Sequence, residues 1–321
     1  MTESTVRAVP STAGEPKLVS YARLAKLDVF DYYLSLPVVL SAVVLPIGAF
    51  DPAVLVTLGL FGLGAVLMTA SLVAFDDLTG YRDGSDTANY RANPTLRRAR
   101  RKPLVTGALT EREVVRFGWL TAFAGAAVFV ITVATAPHAP QWTIWLIVAN
   151  FVFGIQYSYG LKISYHGFQE TYIAALGWVM VLAPYGLITD RFDGFVLVQA
   201  LLFGLGPLLF GVYSNTNDIA GDRSVGRPTV AALTTPRGNR RFVAALSVAE
   251  FLLGAAAAAT GVAPWWFVLL MLPVTVLRAR QFGIGFGPRG DILRARAIGF
   301  TAHRVGAGLL VAANLVLAVT K

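Results

Sequence analysis

The sequence contains no cysteine, which rules out a disulfide framework and a thiolate metal site. Histidine is nearly as scarce: His138, His166 and His303 are scattered without ligand spacing, so zinc chemistry is set aside together with thiol chemistry. Charge is thin as well, at 14% of residues against about 25% in soluble globular proteins. No apolar stretch ahead of a small-residue cleavage site opens the chain, so no signal peptide is expected. What is abundant is apolar side chain, 55% of 321 residues, with a mean hydropathy of +0.62. That balance points to a membrane protein.

A run of about 20 apolar residues is needed to cross roughly 30 Å of hydrocarbon. About nine such runs occur, near 29–49, 53–75, 116–136, 141–160, 170–189, 194–214, 242–262, 264–279 and 297–319. The first is interrupted by Pro37 and Pro46, which a membrane helix tolerates when its neighbours satisfy the freed carbonyls. The expected fold is therefore all-α, a polytopic bundle forming a single transmembrane domain over 25–321. It is preceded by a tail, residues 1–24, whose Ser, Thr, Pro and Glu content predicts disorder.

The excess of +9 separates by side. Arg82, Arg91, Arg97, Arg98, Arg100, Arg101, Lys102 and Arg112 follow the second run, and Lys162 follows the fourth. Arg223, Arg227, Arg237, Arg240 and Arg241 follow the sixth, and Arg278, Arg280, Arg289, Arg294 and Arg296 the eighth. With nine spans all of these share one side, whereas the opposite loops hold only Arg191. The positive-inside rule then predicts a multi-pass protein of the cell membrane with a cytoplasmic N-terminus and an outer C-terminus. It also accounts for the basicity without nucleic acid as a partner.

Two loops on the predicted inner side carry carboxylates. Asp77-Leu-Thr-Gly80-Tyr-Arg82 and Asp218-Ile-Ala-Gly221-Asp222-Arg223 share the form Asp-x-x-Gly-x-Arg and are four runs apart, as a duplicated four-helix unit would place them. Asp218 and Asp222 stand at i and i+4, on one face of a helix and close enough to share a divalent cation. Asp76 and Asp77 end the second run, and Asp83 and Asp86 follow; they fall near one face if the helix continues, which Gly80 and Gly84 put in question. Acids beside Arg and Lys at the mouth of an apolar bundle suit a hydrated entrance that binds an ion and an anion together. A diphosphate held through Mg²⁺, with basic side chains taking the remaining charge, fits best. The alternative is a set of solvated helix ends whose acids pair with local bases. Glu250 falls mid-membrane and reads either as an interhelical hydrogen-bonder or as a proton acceptor; Asn150 and Gln156 read first as interhelical hydrogen-bonders.

Over about residues 25–320 the chain resembles the UbiA superfamily of intramembrane prenyltransferases. It looks closest to the branch that prenylates 1,4-dihydroxy-2-naphthoate in menaquinone synthesis. The residues that carry the resemblance are Asp76-Asp77-Leu-Thr-Gly80-Tyr-Arg-Asp83-Gly84-Ser-Asp86, Asn215-Thr-Asn217-Asp218-Ile-Ala-Gly-Asp222-Arg223, and the loop Tyr157-Ser-Tyr159-Gly-Leu-Lys162 through Glu170. The resemblance implies Mg²⁺ as cofactor, with Asp77, Asp86, Asp218 and Asp222 as catalytic metal ligands. It implies Lys162 and Arg223 at the diphosphate, Asn215 in support of the second metal, and Arg101, Lys102 and Tyr157 among the substrate-binding residues. Two departures stand out: Asp76 replaces the family's Asn, and Gly80 replaces its second Asp, with Asp83 one turn on and able to compensate. The first run opens Lys26-Leu-Asp28-Val-Phe-Asp31-Tyr32-Tyr33 where the family offers Arg-Pro near the acceptor.

The expected activity is Mg²⁺-dependent ionisation of an allylic polyprenyl diphosphate and transfer of the prenyl group to an aromatic or other small acceptor. A membrane terpene cyclase, in which the chain's own double bond captures the cation, is the alternative within the superfamily. An organic-anion transporter is the alternative outside enzymes. Aromatic side chains, 12% of the sequence, can offer ring faces to a cation, although most are expected to pack the bundle or anchor it at the interfaces.

Overall fold

The computed structural model describes residues 14–27, 31–47, 51–92 and 101–320. Asp28, Arg97, Arg98 and Arg100 lie outside the described residues, as does the side chain of Arg91. All regular structure among the described residues is helical. In chain order the helices are α1 (Lys17–Leu24), α2 (Ser35–Ile47), α3 (Pro52–Arg82), α4 (Ser85–Ala92), α5 (Glu111–Thr135), α6 (Gln141–Ile155), α7 (Gln169–Thr189), α8 (Gly194–Asn217), α9 (Ile219–Ser224), α10 (Val230–Leu233), α11 (Pro236–Ala259), α12 (Phe267–Phe286) and α13 (Ile292–Thr320). Seven of them, α3, α5, α7, α8, α11, α12 and α13, are long and apolar enough to cross a membrane. The runs expected near 29–49 and 141–160 are shorter apolar helices, 31–43 and 141–155.

Capping chemistry sets several of the starts. Asp51 accepts from the Ala53 amide ahead of Pro52 at the first helical position of α3, where the missing proline N–H costs nothing. Thr110 and Glu113 form a reciprocal capping box on α5, which satisfies two donors that would otherwise be left open. Asp193 and Thr235 cap α8 and α11.

Helices α7 and α8 pack against each other in the centre, and 72% of each apolar window is buried. Around them, α2 lies on α7 and α13, α3 on α5 and α6, and α11 and α13 on α8, with α12 against α11 and α13. The outer helices keep large apolar side chains exposed, among them Leu120, Phe123 and Val130 of α5 and Leu269, Leu272 and Val276 of α12. A belt of that kind suits lipid and not water. Several polar groups inside are paired between helices: Gln199 and Asn314 exchange amide hydrogen bonds at 2.7 and 3.0 Å between α8 and α13, and Asn314 also reaches Ser41 of α2 at 3.0 Å. Asn150 of α6 accepts from the Tyr172 hydroxyl of α7 through its carbonyl at 3.1 Å. Gln156, expected to bond between helices, instead accepts from the Leu161 amide at 2.8 Å and closes its own turn.

Two expectations are corrected. The tail predicted for residues 1–24 is helical from Lys17 to Leu24, because Leu24 is buried with Phe75, Leu78 and Leu104, and Tyr21 stacks on Phe117 at 5.1 Å. The eighth run extends through Phe286, so Arg278 is no loop cation. It lies within α12 at 2% exposure and forms a two-pronged pair with Glu250 of α11, at 2.8 and 2.9 Å. A third nitrogen of Arg278 donates to Gln281 at 3.0 Å. Glu250 is thus an interhelical partner.

Candidate functional site

Helix α3 carries Asp76 and Asp77 in its last turns and ends at Arg82. The chain then reverses at Gly84, whose φ of +83° belongs to the left-handed region that glycine adopts without strain. The helix therefore does not continue, and Asp83 and Asp86 part company. Asp83 caps the Ser85 amide at 2.9 Å and accepts from the Tyr165 hydroxyl, on the exposed side. Asp86, in α4, folds back beneath α3 into the space left by the absent side chain of Gly80. A Cβ there would stand 2.8 Å from the Asp86 carboxyl carbon. The glycine found where the family has an acid is thus what lets Asp86 in.

The second segment is built differently. Helix α8 ends at Asn217, Asp218 has φ −102° and ψ 9°, and the short α9 begins at Ile219. Ser, Asn and Asp side chains compete with the helical backbone for hydrogen bonds, and Asn217 donates its side-chain amide to Asp218 at 2.8 Å. Gly221 gives α4 a second seat: a Cβ there would meet the Asn89 side chain at 2.5 Å. Asp86 and Asn89 are three residues apart and share one face of α4, so this short helix clamps one motif against the other.

A cavity of about 440 Å³ opens between them, within the range of small-molecule sites. Its wall includes Asp76 and Asp86 from the first segment, Asp218, Asp222 and Asn215 from the second, and the cations Lys26, Arg101, Lys102, Arg227 and Arg296. Tyr32, Tyr157, Ile173, Pro207, Phe210 and Leu293 make the less polar part. Asp77 is 1% exposed and lies behind that wall; both Lys26 and Lys102 hold its Oδ1 at 2.6 Å. Lys102 also reaches Asp86 at 2.7 Å. Arg227 pairs with Asp76 at 2.9 Å and donates to Ser158 and Ser164 at 2.9 and 3.1 Å; the Ser158 hydroxyl in turn donates to Asp76 at 2.7 Å. Asp222 accepts from the Thr229 hydroxyl at 3.0 Å. Asn215 bridges Gln169 at 2.8 Å and Glu170 at 3.0 Å.

Burial pushes the Asp222 carboxyl up to about 6, against the lowering influence of Arg227 and the Thr229 hydrogen bond. Burial also raises Asp86, with the Lys102 ammonium opposing and the Asp77 charge adding to the rise. Both directions follow from the cost of holding a carboxylate away from water.

Of the expected site residues, Asp76, Asp86, Asp218, Asp222, Asn215, Tyr157, Arg101 and Lys102 meet at one cavity. Asp77 stands immediately behind it. Lys162 is exposed, with its ammonium over the Tyr165 ring at 5.5 Å, and Arg223 is exposed, donating to the carbonyls of Ala232 and Thr234 at 2.9 and 3.3 Å. Neither lines the cavity, nor does Asp83. Sequence reasoning did not single out Lys26, Arg227, Asn89, Gln169 or Glu170 as one group, because they come from four separate segments. Arg227 sits within the second motif's own stretch, and this was the signal available for it.

Among the described residues no three His, Asp or Glu side chains are gathered closely enough to chelate one ion. The donor set is nevertheless all oxygen, as hard divalent cations require. Gln169 Oε1 is buried without a hydrogen-bond partner on the cavity wall beside Asn215. The Asp218 and Asp222 side of the cavity therefore fits Mg²⁺.

The model of the UbiA prenyltransferase family matches residues 34–285. No curated protein sequence matches the chain. Among solved structures, digeranylgeranylglyceryl phosphate synthase is similar at TM-score 0.62 and 13% identity, over 95% of this chain and 99% of its own. A UbiA homologue from Archaeoglobus fulgidus bound to GPP and Mg²⁺ aligns at 0.59 and 16%, over 91% and 99%. The apo homologue from Aeropyrum pernix K1 aligns at 0.60 and 17%, over 89% and 97%. At these identities the likeness is one of fold.

Proposed function

This chain belongs to the UbiA prenyltransferase family, and on that premise we propose that its cavity binds an allylic polyprenyl diphosphate with Mg²⁺ and transfers the prenyl group to an aromatic or other small acceptor. The observation that carries the reading is the meeting of Asp76 and Asp86 with Asp218 and Asp222 around one cavity that also contains Lys26, Arg101 and Lys102. Acids alone would suit a cation and bases alone an anion; both together suit a metal-bound diphosphate. The Archaeoglobus fulgidus relative, bound to GPP and Mg²⁺, supports the same assignment.

Asp218 and Asp222, with Asn215 beside them, are the residues that would hold Mg²⁺. Bound there, it would neutralise the charge that develops on a departing diphosphate. Arg101 and Lys102 donate to phosphate oxygens, so the leaving group is stabilised by charges already in place. Tyr32, Tyr157 and Phe210 line the cavity and offer ring faces to the allylic cation, while the apolar bundle keeps water from it until the acceptor attacks. The bias of basic residues toward one set of loops supports a cytoplasmic mouth, with the N-terminus inside and the C-terminus outside.

The test is to incubate purified protein with Mg²⁺ and polyprenyl diphosphates of several lengths, with and without an aromatic acceptor, while following pyrophosphate release and products by mass spectrometry. Prenylated acceptor is expected, with little turnover in its absence. A cyclic hydrocarbon formed without acceptor would replace transfer by cyclisation, and no release at any chain length would overturn the enzyme reading.

A further inference from the structure

Helix α3 carries more than the acids at its end. Gly62, Ala65, Val66 and Thr69 follow the spacing of a single helix face, and with Leu36 of α2 and Met180 of α7 they line a narrow cleft of about 40 Å³. Among the described residues no charged side chain lines it. The cleft is small, since one water needs about 10–15 Å³ of such space, yet it is not closed. Leu27, Tyr33 and Val66, which also line it, are 51%, 47% and 37% exposed, so it opens sideways onto surface that suits lipid.

Two observations join this cleft to the cavity. Tyr32 is on the wall of both, whereas the smaller clefts beside Glu250 share no residue with the cavity. Lys26, whose φ is +50°, lines the cavity, while its neighbours Ala25 and Leu27 line the cleft. At Lys26 the partition is thus one residue thick, with an ammonium on one side and apolar surface on the other. Position along α3 agrees: Thr69 lies about 10 Å from Asp76 at 1.5 Å per residue, and Gly62 about 10 Å further, through the middle of the span.

We infer that the cleft between α2 and α3 takes the hydrocarbon tail of the prenyl diphosphate, and that Ala65 on its wall is a specificity-determining residue for chain length. This inference rests on the diphosphate reading above and deepens it. A prenyl chain has no hydrogen-bonding group, so each methylene kept in the polar cavity forfeits the gain from leaving water. A headgroup held at Lys26 has its tail one residue away from an apolar passage that leads to lipid. Gly62 keeps that passage narrow by admitting Leu36, since a Cβ there would stand 2.7 Å from Leu36 Cδ1. The exposed rim lets a long chain run on into the bilayer, so chains that reach beyond the cavity are favoured over those that end inside it.

The experiment measures binding and needs no turnover. Inorganic pyrophosphate, geranyl diphosphate and geranylgeranyl diphosphate are each titrated into the purified full-length chain with Mg²⁺ and without acceptor, and Kd is read by isothermal titration calorimetry. The unaltered chain is expected to bind the geranylgeranyl compound more tightly than the geranyl one. Ala65→Leu, which fills the cleft, is expected to weaken geranylgeranyl diphosphate by about tenfold or more, the scale of a misfit in an apolar pocket. It is expected to leave pyrophosphate within about twofold, as a change away from the head site does. Unchanged affinity for geranylgeranyl diphosphate in this variant, or a loss that pyrophosphate shares equally, overturns this inference and leaves the diphosphate reading standing. Failure of the unaltered chain to bind any of the three overturns that reading and this inference with it. If Ala65→Leu does not fold, Val66→Phe at the exposed rim is read in its place, by the same outcomes.

Discussion

Asp77-x-x-Gly80-x-Arg82 and Asp218-x-x-Gly221-x-Arg223 are alike in sequence and unlike in structure. The first is the closing stretch of a 31-residue helix, held in register by Phe75 and Leu78, both fully buried. The second is a break: Asn215, Asn217 and Asp218 stop α8, and a six-residue helix starts afresh. One carboxylate, Asp77, is locked behind the wall by two lysines, whereas its counterpart Asp218 stands on the wall. Only the glycines do the same work in both copies, since each leaves room for a side chain of α4. A six-residue pattern therefore specifies where α4 docks, and its neighbours decide whether the acid lies behind the cavity wall or on it.

The largest expected effect separates the copies directly. Asp218→Ala or Asp222→Ala lowers pyrophosphate release from a prenyl diphosphate by about 10²–10³-fold, the scale of losing one charge-stabilising contact at a leaving group. A decrease under about tenfold would erase the distinction. Next comes the seat of Asp86. Gly80→Asp, which restores the family's acid, forces the two carboxylates together and costs about 1–3 kcal/mol, as overpacking does. Most of this is regained in Gly80→Asp/Asp86→Gly, a coupling measured by thermal melts and rates of all four members of the cycle.

The third expectation concerns pH. Burial holds Asp222 near 6, and the metal requires the ionised form, so protons compete with Mg²⁺ below that value. Apparent Mg²⁺ affinity falls about tenfold per pH unit below 6 and levels off above it, which titrations at pH 5, 6 and 7 read out. A flat profile removes Asp222 from the metal site. The smallest effect is at Asp83: since its carboxylate caps Ser85 and faces Tyr165 outside the cavity, Asp83→Asn changes turnover by no more than about twofold, the range of a surface substitution. A loss approaching that of Asp222→Ala would mean Asp83 belongs with the metal.

The all-helical fold was legible in the hydropathy of the chain, because apolar runs of membrane length are long-range signals that single residues cannot hide. Their ends were less so: the capacity of Arg278 to remain in a helix depended on Glu250, 28 positions away. At the site, the acids were visible as residue types, and their convergence was foreseen from spacing and side. The choice between Asp83 and Asp86 was not, because it turns on the reversal at Gly84 and the gap at Gly80, which are three-dimensional facts. Lys26 was legible only as a departure from the family pattern. Its partner is supplied by tertiary packing of α1, in a stretch whose composition resembles a tail. Lys162 and Arg223 show the converse limit, since a basic residue beside a motif need not face the cavity that the motif builds.

The clasp between Glu250 and Arg278 bears on how the protein is made. Each of these side chains alone, carried into the bilayer on a single helix, would face a penalty of about 2.5–3.5 kcal/mol; joined, they shield one another. Helices α11 and α12, separated by only a short turn over 260–266, thus have reason to leave the insertion machinery as a hairpin and not one after the other. The order of biogenesis is in this sense written into a single pair of charges that does not line the cavity.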